Sequence, residues 1–184
     1  MFHGARYGFK IGNSISLDRW VKVYYGDLGI ALTDTYTSDV FFGQFDKKLS
    51  KLFDGVRHDS GDPIEFGEKT IAHYEKMGIN PLFKTIIFSD GLNSEKVEMI
   101  TKAFKGRIGL SFGIGTNLTN DTDLKPMNIV MKLTEISSID IKWTGVVKLS
   151  DEKNKHTGTP RMIALAKEML DLDDIPSHDA PEND

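Results

Sequence analysis

Three aspartates close short apolar runs, and around them lie the side chains of this sequence best suited to holding a phosphorylated sugar. Asp34 ends the run that begins at Gly29, Asp59 the run that begins at Val56, and Asp90 the run that begins at Thr85. Carboxylates so placed can accept from ribose hydroxyls, hold Mg2+ through water, or orient a histidine. Taken singly, each also reads as a helix cap or an Asx turn. Arg57 is the one arginine at a run's end in this block, and its rigid charged fork suits a phosphate or carboxylate. A salt bridge to Asp59 is its alternative use. Ser89-Asp90-Gly91 and Gly113-Ile114-Gly115 are small-residue turns in which glycine lets a ligand come close to backbone N–H groups. Bland turns would look the same, and the second is not a dinucleotide fingerprint, since the third glycine and the following helix are missing. Asp62, just before Pro63, reads as a cap. His58 alternates to the face opposite Arg57 and Asp59 and reads as structural. His73 falls on a helix, either packed or facing solvent, and no histidine pair has metal-ligand spacing.

What must position these groups is a repeated strand, turn and helix. Strands are expected at residues 28–33, 56–59, 85–89 and 108–112, one about every 25 residues, close to the length of a βα unit. Between them lie helices at 38–52, 63–77, and from Asn93 to the stop at Gly106. Phe41, Phe45, Leu49 and Leu52 recur at helical spacing in the first. Asp62-Pro63 opens the second, Gly78 closes it, and Asn80-Pro81 forbids its continuation. Parallel strands joined by right-handed crossovers follow, and such folds bind ligands beyond the carboxyl ends of their strands. Four units are too few for a closed barrel, which needs eight. The fold class is therefore α/β: a partial β/α barrel of about four parallel units, or else a small open sheet.

The flanks differ. Residues 1–26 form an N-terminal stub, irregular or a helix end as far as Lys10, with a short helix from Leu17 to Tyr24 capped by Ser16. Its aromatics, Phe2, Tyr7 and Phe9, ask for a covering surface. Residues 27–126 hold the half barrel. In 127–184, strands at 128–136 and 145–149 form an antiparallel pair around a Ser137-Ser138 loop, a helix covers 161–170, and an acidic tail begins at Asp171. No helix signal appears between Thr116 and Pro126.

The chain has 184 residues, enough for one well-buried domain, and a formal net charge of −4 that offers no basic field to nucleic acid. Without cysteine it has no disulfide, thiolate nucleophile or thiolate metal site. No apolar run reaches the roughly 20 residues of a membrane span, so no membrane partner and a cytoplasmic location are expected.

With these residues in place, the sequence resembles the nicotinate phosphoribosyltransferases. The resemblance rests on Gly29-Ile30-Ala31-Leu32-Thr33-Asp34, Arg57-His58-Asp59-Ser60-Gly61-Asp62-Pro63, Ile71-Ala72-His73-Tyr74-Glu75-Lys76, Phe88-Ser89-Asp90, Leu110-Ser111-Phe112-Gly113-Ile114-Gly115-Thr116 and Lys125-Pro126-Met127-Asn128-Ile129-Val130. It implies an enzyme of NAD salvage that joins nicotinate to phosphoribosyl pyrophosphate with ATP as co-substrate, through a phosphohistidine, with Mg2+ accompanying the pyrophosphate. By position it implies that Arg57 and Asp59 contact ribose and pyrophosphate, and that Asp90 lies beside the ribose. It further implies that amides around Ser89, Gly91, Gly113 and Gly115 cradle the 5′-phosphate, and that Asp34 orients the phosphohistidine. The family's phosphohistidine belongs upstream of Met1, and His3 does not match it. The expectation is a C-terminal fragment, inactive alone, that lacks an N-terminal half and belongs to a homodimer. A phosphate-binding or self-associating module without turnover is the alternative. A small phospho-sugar aldolase or isomerase is a third reading, which the lack of a lysine at these strand ends opposes.

Overall fold

Alternation along the β-strands sorts their side chains onto two faces, and only one of those faces meets helices. The computed structural model describes residues 1–120, 122–127, 129–152 and 155–172. Strands β1 (Ile30–Leu32), β2 (Gly55–His58), β3 (Thr85–Phe88) and β4 (Gly109–Phe112) form one parallel sheet in sequential order. Val56, His58, Ile86 and Phe88 point one way and are buried, whereas Leu32, Arg57 and Ser111 on the other face are exposed. The register aligns Leu32 with Arg57, Arg57 with Ile87 and Ile87 with Ser111, so this open face is one continuous row. Sequential order is what successive βα units of a barrel give, without the order reversal of a doubly wound sheet. The expected partial barrel is thus present as a four-stranded arc.

The covering helices are α3 (Ser38–Gln44), α4 (Lys47–Leu52), α5 (Pro63–Lys76) and α6 (Ser94–Phe104). Their side chains Phe41, Phe45, Leu49, Phe66, Ile71, Tyr74, Ile100 and Phe104 join the strand residues in one core. Caps begin these helices where the sequence places them. Asp62 accepts from the N–H groups of Ile64 and Glu65 at 2.8 Å, and Asn93 accepts from that of Lys96 at 2.9 Å. The expected single helix over 38–52 is instead two. Asp46 caps the second by accepting from the Leu49 N–H at 2.8 Å, so the chain turns there, and Leu52 leaves the apolar stripe and is exposed.

The N-terminal stub differs more. Residues 2–24 are helical nearly throughout, as α1 (Phe2–Tyr7) and α2 (Phe9–Tyr24). Ser16 is not a cap; its hydroxyl donates to the Gly12 carbonyl at 2.7 Å inside α2. Tertiary contact overrides the poor helix propensity of the glycines here. Tyr36 is buried against Phe9, and its ring tip enters the notch where α1 and α2 meet. A Cβ on Gly4 would fall 1.6 Å from the Tyr36 oxygen, and one on Gly12 would fall 2.9 Å from the Gly4 Cα.

Beyond the sheet, α7 (Thr116–Thr119) is a single turn where no helix is expected. The antiparallel pair forms as β5 (Glu135–Ser138) and β6 (Ile141–Gly145), with Ser138 opposite Ile141, so the turn lies at Ile139 and Asp140 and not at Ser137-Ser138. Of the strand expected over 128–136, Asn128 lies outside the described residues, and only Glu135 and Ile136 are paired. The strand expected over 145–149 follows another course. The Val146 N–H bonds the Thr134 carbonyl, Lys148 pairs with Thr157, and Val146, Val147 and Leu149 are buried. Helix α8 (Pro160–Met169) starts at the Thr159 cap and adds Ala166 to a second small core with Phe9, Tyr36, Val147 and Leu149. Residues 173–184, most of the expected acidic tail, lie outside the described residues.

Candidate functional site

Asp34, Asp59 and Asp90 line one cavity of about 420 Å3 at the carboxyl ends of β1, β2 and β3. Lys148, Ser150, Lys155 and Thr157 add to its polar wall, brought there by the segment that runs from β6 toward α8, and Lys132 adds to it from the stretch before residue 135. The parallel register explains the gathering. Leu32 pairs with Arg57 and Arg57 with Ile87, so two residues further along each chain Asp34, Asp59 and Ser89 fall into a row. Asp90 is one residue further out than its two counterparts.

Asp34 is almost fully buried at 1 % exposure. Its Oδ2 accepts from Lys148 Nζ at 2.8 Å, from Ser60 Oγ at 2.9 Å and from Ser150 Oγ at 3.3 Å. Its Oδ1 is equally buried and has no partner. An unpaired carboxylate oxygen in a low-dielectric site is costly, so it stands ready to accept one strong hydrogen bond from an incoming donor. Asp59 Oδ1 accepts from an Arg57 Nη at 2.6 Å, which is the salt bridge anticipated as the alternative role for this arginine. Arg57 Nε also donates to Ser89 Oγ at 2.8 Å. This exposed pair ties the guanidinium to Asp59 and Ser89, and its contribution to stability is small. At the rim, Lys155 Nζ lies 3.3 Å from Asp90 and 2.7 Å from Glu152. The hydrogen bond with Glu152 raises the Lys155 pKa, and the same bond lowers that of Glu152. Each rim carboxylate therefore has a cation beside it; an anionic ligand in the cavity would meet Lys148 and Lys155, whereas Arg57 is not part of the wall and reaches it only through its salt bridge to Asp59.

The glycine turns lie beside this cavity and are not part of its wall. Gly113 passes Ser89 so closely that a Cβ would stand 3.3 Å from the Ser89 Cβ. The N–H groups of Ser89 and Gly113 are bonded to the carbonyls of His58 and Phe88, which continue the sheet ladder. Gly91 takes the left-handed conformation, φ +53°, and Gly115 opens the turn of α7.

The groups set aside as structural are so placed. His58 is buried between Phe66 and Phe88, its Nε2 near the Gly61 carbonyl, and burial lowers its pKa. His73 is packed beside Phe42 and Phe45 and shares a hydrogen bond with Ser50 Oγ at 3.0 Å. Among the described residues no three histidines or carboxylates are grouped to hold a metal ion, and no helix is long and apolar enough to cross a membrane.

Lys148, Lys155, Ser60, Ser150 and Asp151 were not singled out by the sequence reading. A signal exists for three of them: Val146-Val147-Lys148-Leu149-Ser150-Asp151 has the same apolar run ending in Ser-Asp as Ile86-Ile87-Phe88-Ser89-Asp90.

Comparison with known proteins bears on this arrangement. Residues 6–174 match the model of the nicotinate phosphoribosyltransferase (NAPRTase) family. The nicotinate phosphoribosyltransferase of Chromohalobacter salexigens is 62% identical over 172 residues, covering 94% of this chain and 44% of the relative. That of Methanosarcina mazei is 50% identical over 166 residues, covering 88% and 40%. The crystal structure of the Porphyromonas gingivalis nicotinate phosphoribosyltransferase superposes with a TM-score of 0.88 at 50% identity, over 92% of this chain and 44% of that one. The chain thus spans less than half the length of the relatives it matches.

Proposed function

The chain belongs to the nicotinate phosphoribosyltransferase family, and from that premise we propose that it forms the phosphoribosyl-pyrophosphate-holding part of such an enzyme. The observation that carries the reading is the gathering of Asp34, Asp59 and Asp90 from three adjacent strand ends around one cavity faced by Lys148 and Lys155. In this assignment the two lysines and Arg57 hold the pyrophosphate, while Asp59 and Asp90 take the ribose hydroxyls. The 5′-phosphate would lie outside that wall, beside the turns at Ser89, Gly91, Gly113 and Gly115, held by amides other than those of Ser89 and Gly113, which the sheet ladder already binds. Fixed cations around a departing pyrophosphate stabilise charge as it develops, with no reorganisation at the moment of reaction.

The unpaired Oδ1 of Asp34 fits the role of orienting an imidazole supplied by sequence outside this chain. With ATP as co-substrate, that imidazole would be the group phosphorylated. Mg2+ fits as the companion of the pyrophosphate, since it keeps most of its waters and needs one or two carboxylates beside the phosphates. Asp59 and Asp90 meet that need without a dedicated protein cage. The reaction would be the joining of nicotinate to phosphoribosyl pyrophosphate. This chain alone would not turn over, and the complete enzyme would work as a homodimer in the cytoplasm.

The test is complementation. Co-expression with the part of the Chromohalobacter salexigens relative that this chain does not cover should restore nicotinate mononucleotide synthesis, and Asp59→Asn should abolish it. Association of two folded halves without any product would reject the reading. It would favour a phosphate-binding or self-associating module, an alternative supported by the exposed run Ile129, Val130 and Met131.

A further inference from the structure

The segment that delivers Lys148 to the cavity is held against the sheet by two kinds of interaction. Burial of Val147 and Leu149 presses it down, but apolar burial is non-directional and leaves the register along the strand ends unset. Hydrogen bonds set it. The Leu149 N–H donates to the Thr35 carbonyl at 2.8 Å, and the Asp151 N–H donates to Ser60 Oγ at 3.1 Å. The Asp151 carboxylate accepts from the Ser38 N–H at 2.7 Å and from the Ser38 hydroxyl at 2.6 Å. Between the two anchors Ser150 adopts a left-handed conformation, φ +60°, which a non-glycine residue keeps only where its surroundings impose it. Both Asp151 oxygens are committed to Ser38. The residue lies in the wall of a separate cavity of about 220 Å3 with Ser38, Ser60 and Lys69, which shares no lining residue with the one that Lys148 faces.

We propose that Asp151 is a positioning residue for the phosphate-facing cavity: its carboxylate grips Ser38 and, with its backbone N–H seated on Ser60, fixes the segment so that Lys148 Nζ stands between Asp34 and Asp59. Lys148 Nζ is 2.8 Å from Asp34 and 3.9 Å from Asp59, a placement that one residue of slippage would destroy. Ser60 links the two halves of the device, since the hydroxyl that accepts from the Asp151 N–H donates to Asp34 Oδ2. The functional consequence rests on the reading that this cavity receives pyrophosphate. The positional claim does not.

Two measurements separate them. In the first, lysines of the folded chain are acetylated with a water-soluble ester and followed by mass spectrometry. Asp151→Ala should speed Lys148 labelling at least fivefold while Lys84, buried at the amino end of β3, labels no faster. An unchanged Lys148 rate, or a rise shared with Lys84, overturns the proposal. In the second, inorganic pyrophosphate is titrated by calorimetry. Asp151→Ala should weaken binding about tenfold in the native background and less than twofold with Lys148→Ala, the non-additivity expected of groups acting in series. Equal weakening in both backgrounds overturns the proposal. If the unaltered chain binds no pyrophosphate, the functional reading fails and the labelling result still decides the positional one. Should Asp151→Ala not fold, Ser38→Ala removes one of the two bonds to the carboxylate and should move Lys148 labelling in the same direction.

Discussion

Replacing Ser60 with alanine removes one hydroxyl at the point where three parts of the chain meet. Ser60 is 2 % exposed, donates to Asp34 Oδ2 at 2.9 Å and accepts from the Asp151 N–H at 3.1 Å. A hydrogen bond to a charged group is worth about 1.5–3 kcal/mol, and a buried donor left without a partner costs about 1–3 kcal/mol. Lys148 and Ser150 still hold Asp34, so the two losses do not add fully, and we expect a destabilisation of about 3 kcal/mol. For a domain of this size that lowers Tm by about 6–12 °C. Urea and thermal unfolding followed by circular dichroism measure it, with Ser14→Ala as the reference. The Ser14 hydroxyl reaches the Gln44 carbonyl at 3.3 Å from a half-buried position, and its loss should stay within about 0.5 kcal/mol. A Ser60→Ala variant as stable as Ser14→Ala would show that the hydroxyl carries no structural load. The account of Asp34 as a carboxylate held in place would fall with it.

Burial lowers the pKa of both His58 and His73. Below about pH 6.5 the unfolded chain takes up protons that the folded chain refuses. Stability should be complete above that pH and fall as pH drops, by about 1.4 kcal/mol per unit for each histidine until the folded imidazoles protonate. Urea titrations between pH 7.5 and 5.5 should show this slope, to which His3, lowered by burial and nearby cations, also adds, and a His58→Phe variant that folds should show a shallower one; a flat profile refutes the burial argument. Tyr36 is buried with its hydroxyl unpartnered and its pKa pushed up to about 12. Tyr36→Phe should therefore be neutral or stabilising by about 1 kcal/mol, and a loss larger than that would reveal a partner for the oxygen. Gly4→Ala should cost about 1–3 kcal/mol by overpacking the same notch, and less in the Tyr36→Phe background. Lys155→Ala, which breaks only exposed rim pairs, should change stability by less than about 1 kcal/mol while weakening pyrophosphate binding. Equal binding by variant and parent would remove Lys155 from the site.

What the sequence determined by itself is whatever depends on neighbours along the chain. Caps at Asp62 and Asn93, the stops at Gly78 and Gly106, and the apolar stripes of α5 and α6 follow from local hydrogen bonding and helical period, and they marked the order of four strands and their helices. The same local phrasing placed Asp34, Asp59 and Asp90 at strand ends, and the parallel register then obliged them to converge. Tertiary structure alone decided the rest. Ser150 lies 116 positions from Asp34, and no local rule says that the segment carrying it folds back over β1 and β2 to bring Lys148 to a buried carboxylate. The continuous helix through Gly12 is likewise settled by contact, because the packing of Tyr36 into the α1–α2 notch and the burial of Phe9 and Leu17 compensate for glycine's poor propensity. The hairpin register belongs to the same class. Its serines read locally as a loop, and cross-strand pairing of Ser138 with Ile141 put them in a strand, since a β-ladder is specified by a partner that the local sequence does not contain.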